Sequence, residues 1–340
     1  MKKPKKELFS RYYGIKENPE KFDFFDIYLN ADSLFFVDAA KIKHEANRKS
    51  EYQYLFIRMQ NTIDSFFKSV ENIYENLSSH KEIYLAENTN KFKGILGQSK
   101  ETQSTHLGFS KIGSSGTGNS YKILKDAFDY VYMENLYELG LVNSMEDLTL
   151  FTKNFANDRM SDLIISLIIP ELAEFSLLQA EKYKISDTYI SKKPIKLGHK
   201  WDNETMEWVL YKDKAIEYMN RPVLLVPFRL ISRNFLYDPK KYLSHSLYRR
   251  QDEYKKIKSH YNGVNKDGSI KPPSHKTIKE VEIKESNLST KQYLILRTQA
   301  DKDLKATFFT NIKHALEAGA TVLTIEEIEA YRRADEKKDK

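Results

Sequence analysis

The stretch EANRKSEYQYLFIRMQNTIDSFFKSVENIYENL, residues 45–77, carries the clearest periodic signal in the chain. Its apolar side chains recur at steps of three and four residues, which places them along one face of an α-helix. The segment therefore predicts a long amphipathic helix with one buried face. The positions that define this face are Tyr52, Leu55, Met59, Ile63, Phe66, Val70, Ile73 and Leu77.

The rest of the chain predicts more helices and a few short strands. Helical patterns cover residues 121–139, 157–183 (with a kink or a new start at Pro170), 237–260, 304–318 and 325–333. Short apolar or alternating runs predict strands at 25–29, 34–38, 188–190, 223–226, 279–283 and 293–296. Together these patterns predict an α+β fold, with a helix-rich main domain that contains short strands and a small C-terminal α/β module.

Changes in composition indicate where this main domain begins and ends. We expect a loose basic arm over residues 1–22 and the main α+β domain over 23–261. Gly, Asn and Pro cluster in residues 262–275, which is typical of a linker. Residues 276–340 then form the C-terminal strand–helix module.

Composition also restricts the classes of protein to consider. Hydrophobic residues make up 40% of the 340 residues, so a sizeable core can form. Cysteine is absent, which excludes disulfides, thiolate nucleophiles and cysteine-ligated metals. The longest apolar run, residues 163–169, is too short to cross a bilayer, and the basic N-terminus is not followed by the apolar stretch of a secretory signal. We therefore expect a cytoplasmic protein without a membrane partner.

Charge is spread unevenly along a chain whose net charge is +7. Residues 239–258 hold seven Lys and Arg against two acids, and Tyr242, Tyr248 and Tyr254 lie among them. Cations neutralise phosphates and aromatic rings stack on bases, so this segment predicts a nucleic-acid surface. A solvated amphipathic helix gives the same pattern. The residues predicted to bind nucleic acid are Lys240, Lys241, Arg249, Arg250, Lys255 and Lys256.

A glycine-rich loop, GSSGTGNS at residues 113–120, comes close to a phosphate-binding P-loop. Asn119 stands where that motif has its lysine, so the charge that neutralises nucleotide phosphates is missing. Backbone amides around Gly113, Gly116 and Gly118 are still predicted to cradle a nucleic-acid phosphate. The alternative is a flexible loop that leads into a helix.

The segment NDRMSD, residues 157–162, opens an acidic helix. Asp158 and Asp162 are four residues apart and share one helix face, an arrangement that suits a hard cation such as Mg²⁺. In this interpretation the two aspartates hold the metal of a catalytic site and Arg159 contacts a phosphate. The alternative is a helix start, in which the acids cap the helix and complement its positive end.

Four segments in order, residues 25–42, 105–118, 157–169 and 221–231, resemble a group of bacterial proteins found among restriction and phage-defence genes. The most specific element is Asp-Arg-x-Ser-Asp-Leu at 158–163, followed by Leu-Val-Pro at 225–227. The resemblance implies a defence-associated protein that acts on nucleic acid, with protein partners from the same system. It leaves two alternatives open, a metal-dependent nuclease and a non-catalytic nucleic-acid-binding or regulatory subunit. Homo-oligomers are compatible with both.

Overall fold

A computed structural model describes residues 6–75, 89–97, 103–108, 121–153, 155 and 157–338. Helices dominate the described residues, and the strands form two-stranded antiparallel pairs, which confirms the predicted helix-rich α+β fold. The helices are α1 (Phe9–Tyr12), α2 (Ala39–Asn47), α3 (Gln53–Glu75), α4 (Thr89–Leu96), α5 (Tyr121–Met133), α6 (Asp147–Phe151), α7 (Asn157–Leu167), α8 (Ile169–Lys182), α9 (Pro239–Tyr254), α10 (His275–Lys279), α11 (Thr290–Ala300), α12 (Leu304–Glu317) and α13 (Ile325–Lys338). The strand pairs are β1 (Phe36–Val37) with β6 (Ile231–Ser232), β2 (Ile195–Asp202) with β3 (Glu207–Asp213), β4 (Ile216–Tyr218) with β5 (Arg221–Val223), and β7 (Gly263–Val264) with β8 (Ile270–Lys271).

Helix α3 is the amphipathic helix that the apolar periodicity predicts. Its face is buried and contacts α2, α4, α7 and α8. The predicted start at residue 45 is wrong, because a separate helix, α2, ends at Asn47 and α3 begins only at Gln53. The side chain of Asp38 caps α2 by accepting a hydrogen bond from the backbone N–H of Ala40. The fully buried positions of α3 include Leu55, Met59, Ile63, Phe66 and Val70.

The predicted break at Pro170 is present. Helix α7 ends at Leu167 and α8 begins at Ile169 with the proline in its first turn, where the missing N–H costs no helical hydrogen bond. The two helices meet at an angle of 75°. Within the described residues no single helix has the length and apolar character of a membrane span, although this bent pair, taken together, satisfies both criteria.

Several short apolar runs do not form the predicted strands. Residues 25–29 make one isolated antiparallel bridge, between Tyr28 and Leu8, and 188–190 fall largely in a 3₁₀ turn over Asp187–Tyr189. The run 223–226 is buried, but strand β5 ends at Val223. Beyond that point the backbone N–H groups find separate acceptors: Leu224 donates to the carbonyl of Ser104 and Leu225 to the Ser176 hydroxyl. These residues are therefore apolar because they are buried, although they do not belong to a continuous strand ladder.

The C-terminal strands predicted at 279–283 and 293–296 are wrong, because both runs are helical. Residues 280–284 continue α10 as a π-helical turn, and 293–296 lie within α11. The physical reason is capping. Ser274 accepts from the backbone N–H of Thr277 at the start of α10, and Ser289 and Gln292 form a capping box that fixes the start of α11.

Both ends of the chain pack on the same core. Phe9, in the segment predicted as a loose arm, is fully buried. Near the other end, Lys305 contacts Asp147 at 2.9 Å and Asp335 pairs with Arg233. The buried ammonium of Lys41 donates to the carbonyls of Ile231 (2.5 Å) and Thr321 (2.7 Å).

The position of Lys41 makes stability depend on pH. Burial lowers the pKa of Lys41 to about 8 from an ordinary value of 10.5. Between those values the unfolded state binds more protons than the folded state, so the free energy of unfolding rises with pH, by at most about 1.4 kcal/mol per pH unit from this group. In Lys41→Met this contribution is absent. Urea unfolding from pH 7.5 to pH 10 should show a stability gap, in favour of the wild type, that widens above pH 8.

Lys49→Met, at an exposed lysine, is the matched control, and its difference in free energy of unfolding from the wild type should not change with pH. A gap between the wild type and Lys41→Met that stays constant across this range would contradict the assignment.

Candidate nucleic-acid interface

The two arginines predicted to bind nucleic acid are engaged within the protein. Arg249 makes a bidentate pair with Asp301, with N–O distances of 2.9 and 3.0 Å. Arg250 contacts Glu282 at 2.7 Å and Glu253 at 2.6 Å. Both guanidinium groups therefore hold α9 against the C-terminal helices, and only part of their charge faces solvent.

Of the three tyrosines predicted to stack on bases, two are buried. Tyr242 is fully buried and its hydroxyl lies 2.8 Å from that of Thr298. The hydroxyls of Tyr254 and Tyr293 both donate to Glu282, at 2.9 Å each. Tyr248 alone of the predicted three is exposed, at 62% of its surface, and it meets the ring of His275 edge-on at 4.5 Å.

The predicted lysines divide between the two ends of α9. Lys240 and Lys241 lie in the first turn, where the Lys241 ammonium donates to the carbonyl of Phe235. Lys255 and Lys256 follow the last turn, about 24 Å away along a 16-residue helix. These four lysines do not form one surface.

Exposed lysines do follow one another from the C-terminal end of α9 into residues 262–275, the segment predicted to be a linker. Residues 262–275 include the hairpin β7–β8, in which Val264 pairs with Ile270. The side chain of Asn262 donates to the Tyr254 and Ile257 carbonyls at 2.9 Å each, which attaches the hairpin to the helix. We call this region the basic hairpin surface. Its exposed lysines are Lys256, Lys258, Lys266, Lys271, Lys276 and Lys279.

None of these six lysines makes an ion pair within the described residues. The one acid in this segment, Asp267, accepts from the backbone and hydroxyl of Ser269. Val264 and Ile270, which pair across the hairpin, are both exposed, Val264 at 74%. The signal in the sequence was the turn Asn-Lys-Asp-Gly at 265–268 between two short strands, which is a hairpin pattern as much as a linker pattern.

The predicted acidic site lies elsewhere. Asp158 occupies the first turn of α7, and its Oδ1 is buried with no hydrogen-bond partner among the described residues. Ser161 fixes this helix by accepting a hydrogen bond from the backbone of Val37 at 3.0 Å. Helix α7 packs on β1, β2 and α3, whereas α9 packs on α6, α10, α11 and α12. Arg159 and Asp162 belong to α7 as well.

No group of three or more His, Asp or Glu side chains is placed to hold a metal ion in the part of the chain that the structure describes. The glycine loop with Gly113, Gly116 and Gly118 lies outside the described residues.

The chain is thus a helix-rich α+β protein with a basic hairpin appended to its main body. Residues 14–238 match the model of a family described as a domain of unknown function, DUF8370, and the chain belongs to this family. The match ends just before α9, so the basic hairpin surface lies outside the matched segment. Searches of curated proteins and of solved structures found no match.

The two roles considered for the Asp158 helix can be separated by conservative substitution. We expect Asp158→Asn and Asp162→Asn to fold and to lose at most about 1 kcal/mol each, because Asn keeps the shape and weakens only the interaction with the helix dipole. In thermal melts, the difference in melting temperature between the wild type and each variant should be the same with and without Mg²⁺.

The metal-site hypothesis makes the opposite prediction. Mg²⁺ would raise the melting temperature of the wild type alone, because a ligand stabilises only the state that binds it. Metal-stimulated cleavage of DNA or RNA would then be lost in both variants.

Proposed function

We propose that this protein binds nucleic acid, and that the basic hairpin surface is the part that contacts the phosphate backbone. The observation that carries the proposal is the set of six exposed lysines without an ion-pair partner among the described residues, next to the exposed ring of Tyr248. This set shares only Lys256 with the six basic residues that the sequence pattern indicates, because Arg249, Arg250, Tyr242 and Tyr254 serve the packing of α9.

The chemistry of the surface suits a polyanion. Each lysine that neutralises a phosphate releases a condensed counterion, which favours binding and makes the affinity fall with salt. Tyr248 offers a ring on which a base can stack. A two-stranded ribbon such as β7–β8 has the width of a nucleic-acid groove, and Val264 and Ile270 would contact sugars or base edges there.

An anionic membrane surface would attract the same lysines. The aromatic pair of Tyr248 and His275 and the small apolar area of the hairpin favour nucleic acid, since stable membrane attachment needs a larger buried apolar face. Lipid binding is therefore kept as an outcome of the test.

A role in a bacterial defence system belongs to the same proposal and is supported only by the resemblance of the four segments. On that basis we place the protein in the cytoplasm, with partner proteins from the system, and we favour a nucleic-acid-binding or regulatory subunit. A metal-dependent nuclease is the alternative that the Asp158 and Asp162 variants test.

Charge reversal of Lys256, Lys258, Lys266 and Lys271 to Glu should weaken binding of mixed-sequence DNA or RNA by about 100-fold or more. In the wild type, log Kd should rise steeply with log salt, and the slope should fall by about 3 when the four lysines are replaced by Gln. Fluorescence anisotropy with labelled single- and double-stranded oligonucleotides measures both.

The matched control reverses Lys16, Lys49, Lys91 and Lys302, which are also exposed and without an ion pair among the described residues. It keeps the total charge of the test variant and should bind nearly as the wild type does. If both variants lost the same affinity for oligonucleotides, the effect would be one of net charge and the assignment of the surface would be wrong. If the wild type bound anionic vesicles in preference to oligonucleotides, nucleic acid would be rejected as the partner.

A further inference from the structure

A groove of about 840 Å³ runs beside the C-terminal half of α8, far along the chain from the basic hairpin surface. Its wall is formed by α8, by the turn that follows it, and by Lys214 between β3 and β4. The wall is fixed to β4 by the backbone N–H of Ser191, which donates to the carbonyl of Ala215 at 2.9 Å. The apolar floor consists of Leu177, Ala180, Ile185 and Ile190.

Cations outnumber acids along this groove. Lys184, Lys192 and Lys214 line it, are exposed and make no ion pair among the described residues, whereas Glu181 and Asp187 are the acids present. Thr188 and Ser191 also line it. A ligand that combines an apolar body with negative charge is therefore complementary to the groove.

One feature of this region is unfavourable for the protein alone. Lys184 has a left-handed backbone conformation, with φ of 54°, at the end of α8, where glycine is favoured. Asp213, next to Lys214, accepts from the Tyr211 hydroxyl and from the Lys214 backbone. A bound anion would neutralise the charges of Lys184, Lys192 and Lys214 along the groove.

We propose that this groove binds a nucleotide, with its phosphates at Lys184, Lys192 and Lys214 and its base and sugar over the apolar floor. The volume lies within the range of small-molecule sites, and lysine is a common point-charge ligand for phosphate. A narrower groove of about 260 Å³ continues from Leu177 and Glu181 towards Tyr211, which gives an elongated ligand further room. The described lining of this site contains no residue of the basic hairpin surface.

Calorimetry with ATP, GTP, CTP and UTP in metal-free buffer tests the proposal. We expect saturable binding of at least one nucleotide, and a loss of tenfold or more in Lys184→Gln/Lys192→Gln/Lys214→Gln. Lys16→Gln/Lys49→Gln/Lys91→Gln, at exposed lysines elsewhere, should bind as the wild type does. The nucleoside and inorganic triphosphate should each bind more weakly than the whole nucleotide, because each meets only half of the groove.

Leu177→Gln separates the two halves of the site. Leu177 is half-buried in α8, so Gln keeps the helix while removing apolar contact, and it should weaken nucleotide binding more than triphosphate binding. No saturable binding by the wild type, or equal affinity in the triple lysine variant, would overturn the proposal. So would triphosphate binding as tight as that of the nucleotide.

The reversal variant of the basic hairpin surface distinguishes this proposal from the previous one. It should keep full nucleotide affinity while losing oligonucleotide binding, and the triple groove variant should do the reverse. Loss of both activities in either variant would contradict the assignment of two separate sites.

Discussion

The arrangement of the molecule depends on a row of charges buried along α2. Asp38, Lys41 and Glu45 are each almost fully buried, and burial of a charge is tolerated only when it is paired or hydrogen-bonded. Asp38 accepts from the backbone of Leu236 at 2.9 Å, and Lys41 donates to carbonyls on β6 and in the α12–α13 connection. Glu45 pairs with Arg229 at 2.7 Å. These contacts bring residues 229–236 and the C-terminal helices onto α2.

This constraint positions the candidate interface. The chain leaves Leu236 beside Asp38 and enters α9 only three residues later, so the buried charges fix where that helix begins. Its inward side is then held by Arg249 on Asp301 and by Glu282, which receives Arg250 and Tyr254. Cations used for this packing are not available to a ligand. The six lysines of the basic hairpin surface, which make no ion pair among the described residues, follow the end of the helix and continue through the β7–β8 hairpin.

Local pattern was sufficient for α3 and for the break between α7 and α8, because a regular apolar face and a proline each act through neighbouring residues. It was insufficient for the short apolar runs, whose hydrogen-bond partners come from distant residues such as Ser104 and Ser176. The two C-terminal runs are helical for a different reason, since each follows a capped helix start, at Ser274 for 279–283 and at Ser289 for 293–296.

The spacing of the tyrosines in α9 is by itself enough to exclude a single row of stacking rings. Tyr242, Tyr248 and Tyr254 are six residues apart, and a helix turns by about 100° per residue, so successive rings differ by about 240° and cannot form one stacking row. Burial of two and exposure of one follows from that spacing. The partners of Arg249 and Arg250, by contrast, are Asp301 and Glu282, which are 52 and 32 residues away. A local sequence pattern does not predict such distant contacts.

The two basic regions differ in how their charge relates to the fold. On the hairpin, Lys266 lies in the exposed turn and Lys271 in β8, where water screens neighbouring charges well. At the groove, Lys184 and Lys192 lie in the segment that follows α8, and Lys214 lies between β3 and β4. The hydrogen bond from the backbone N–H of Ser191 to the carbonyl of Ala215 holds these two segments together. A fixed spacing of the three cations favours a localised anion site over a diffuse one.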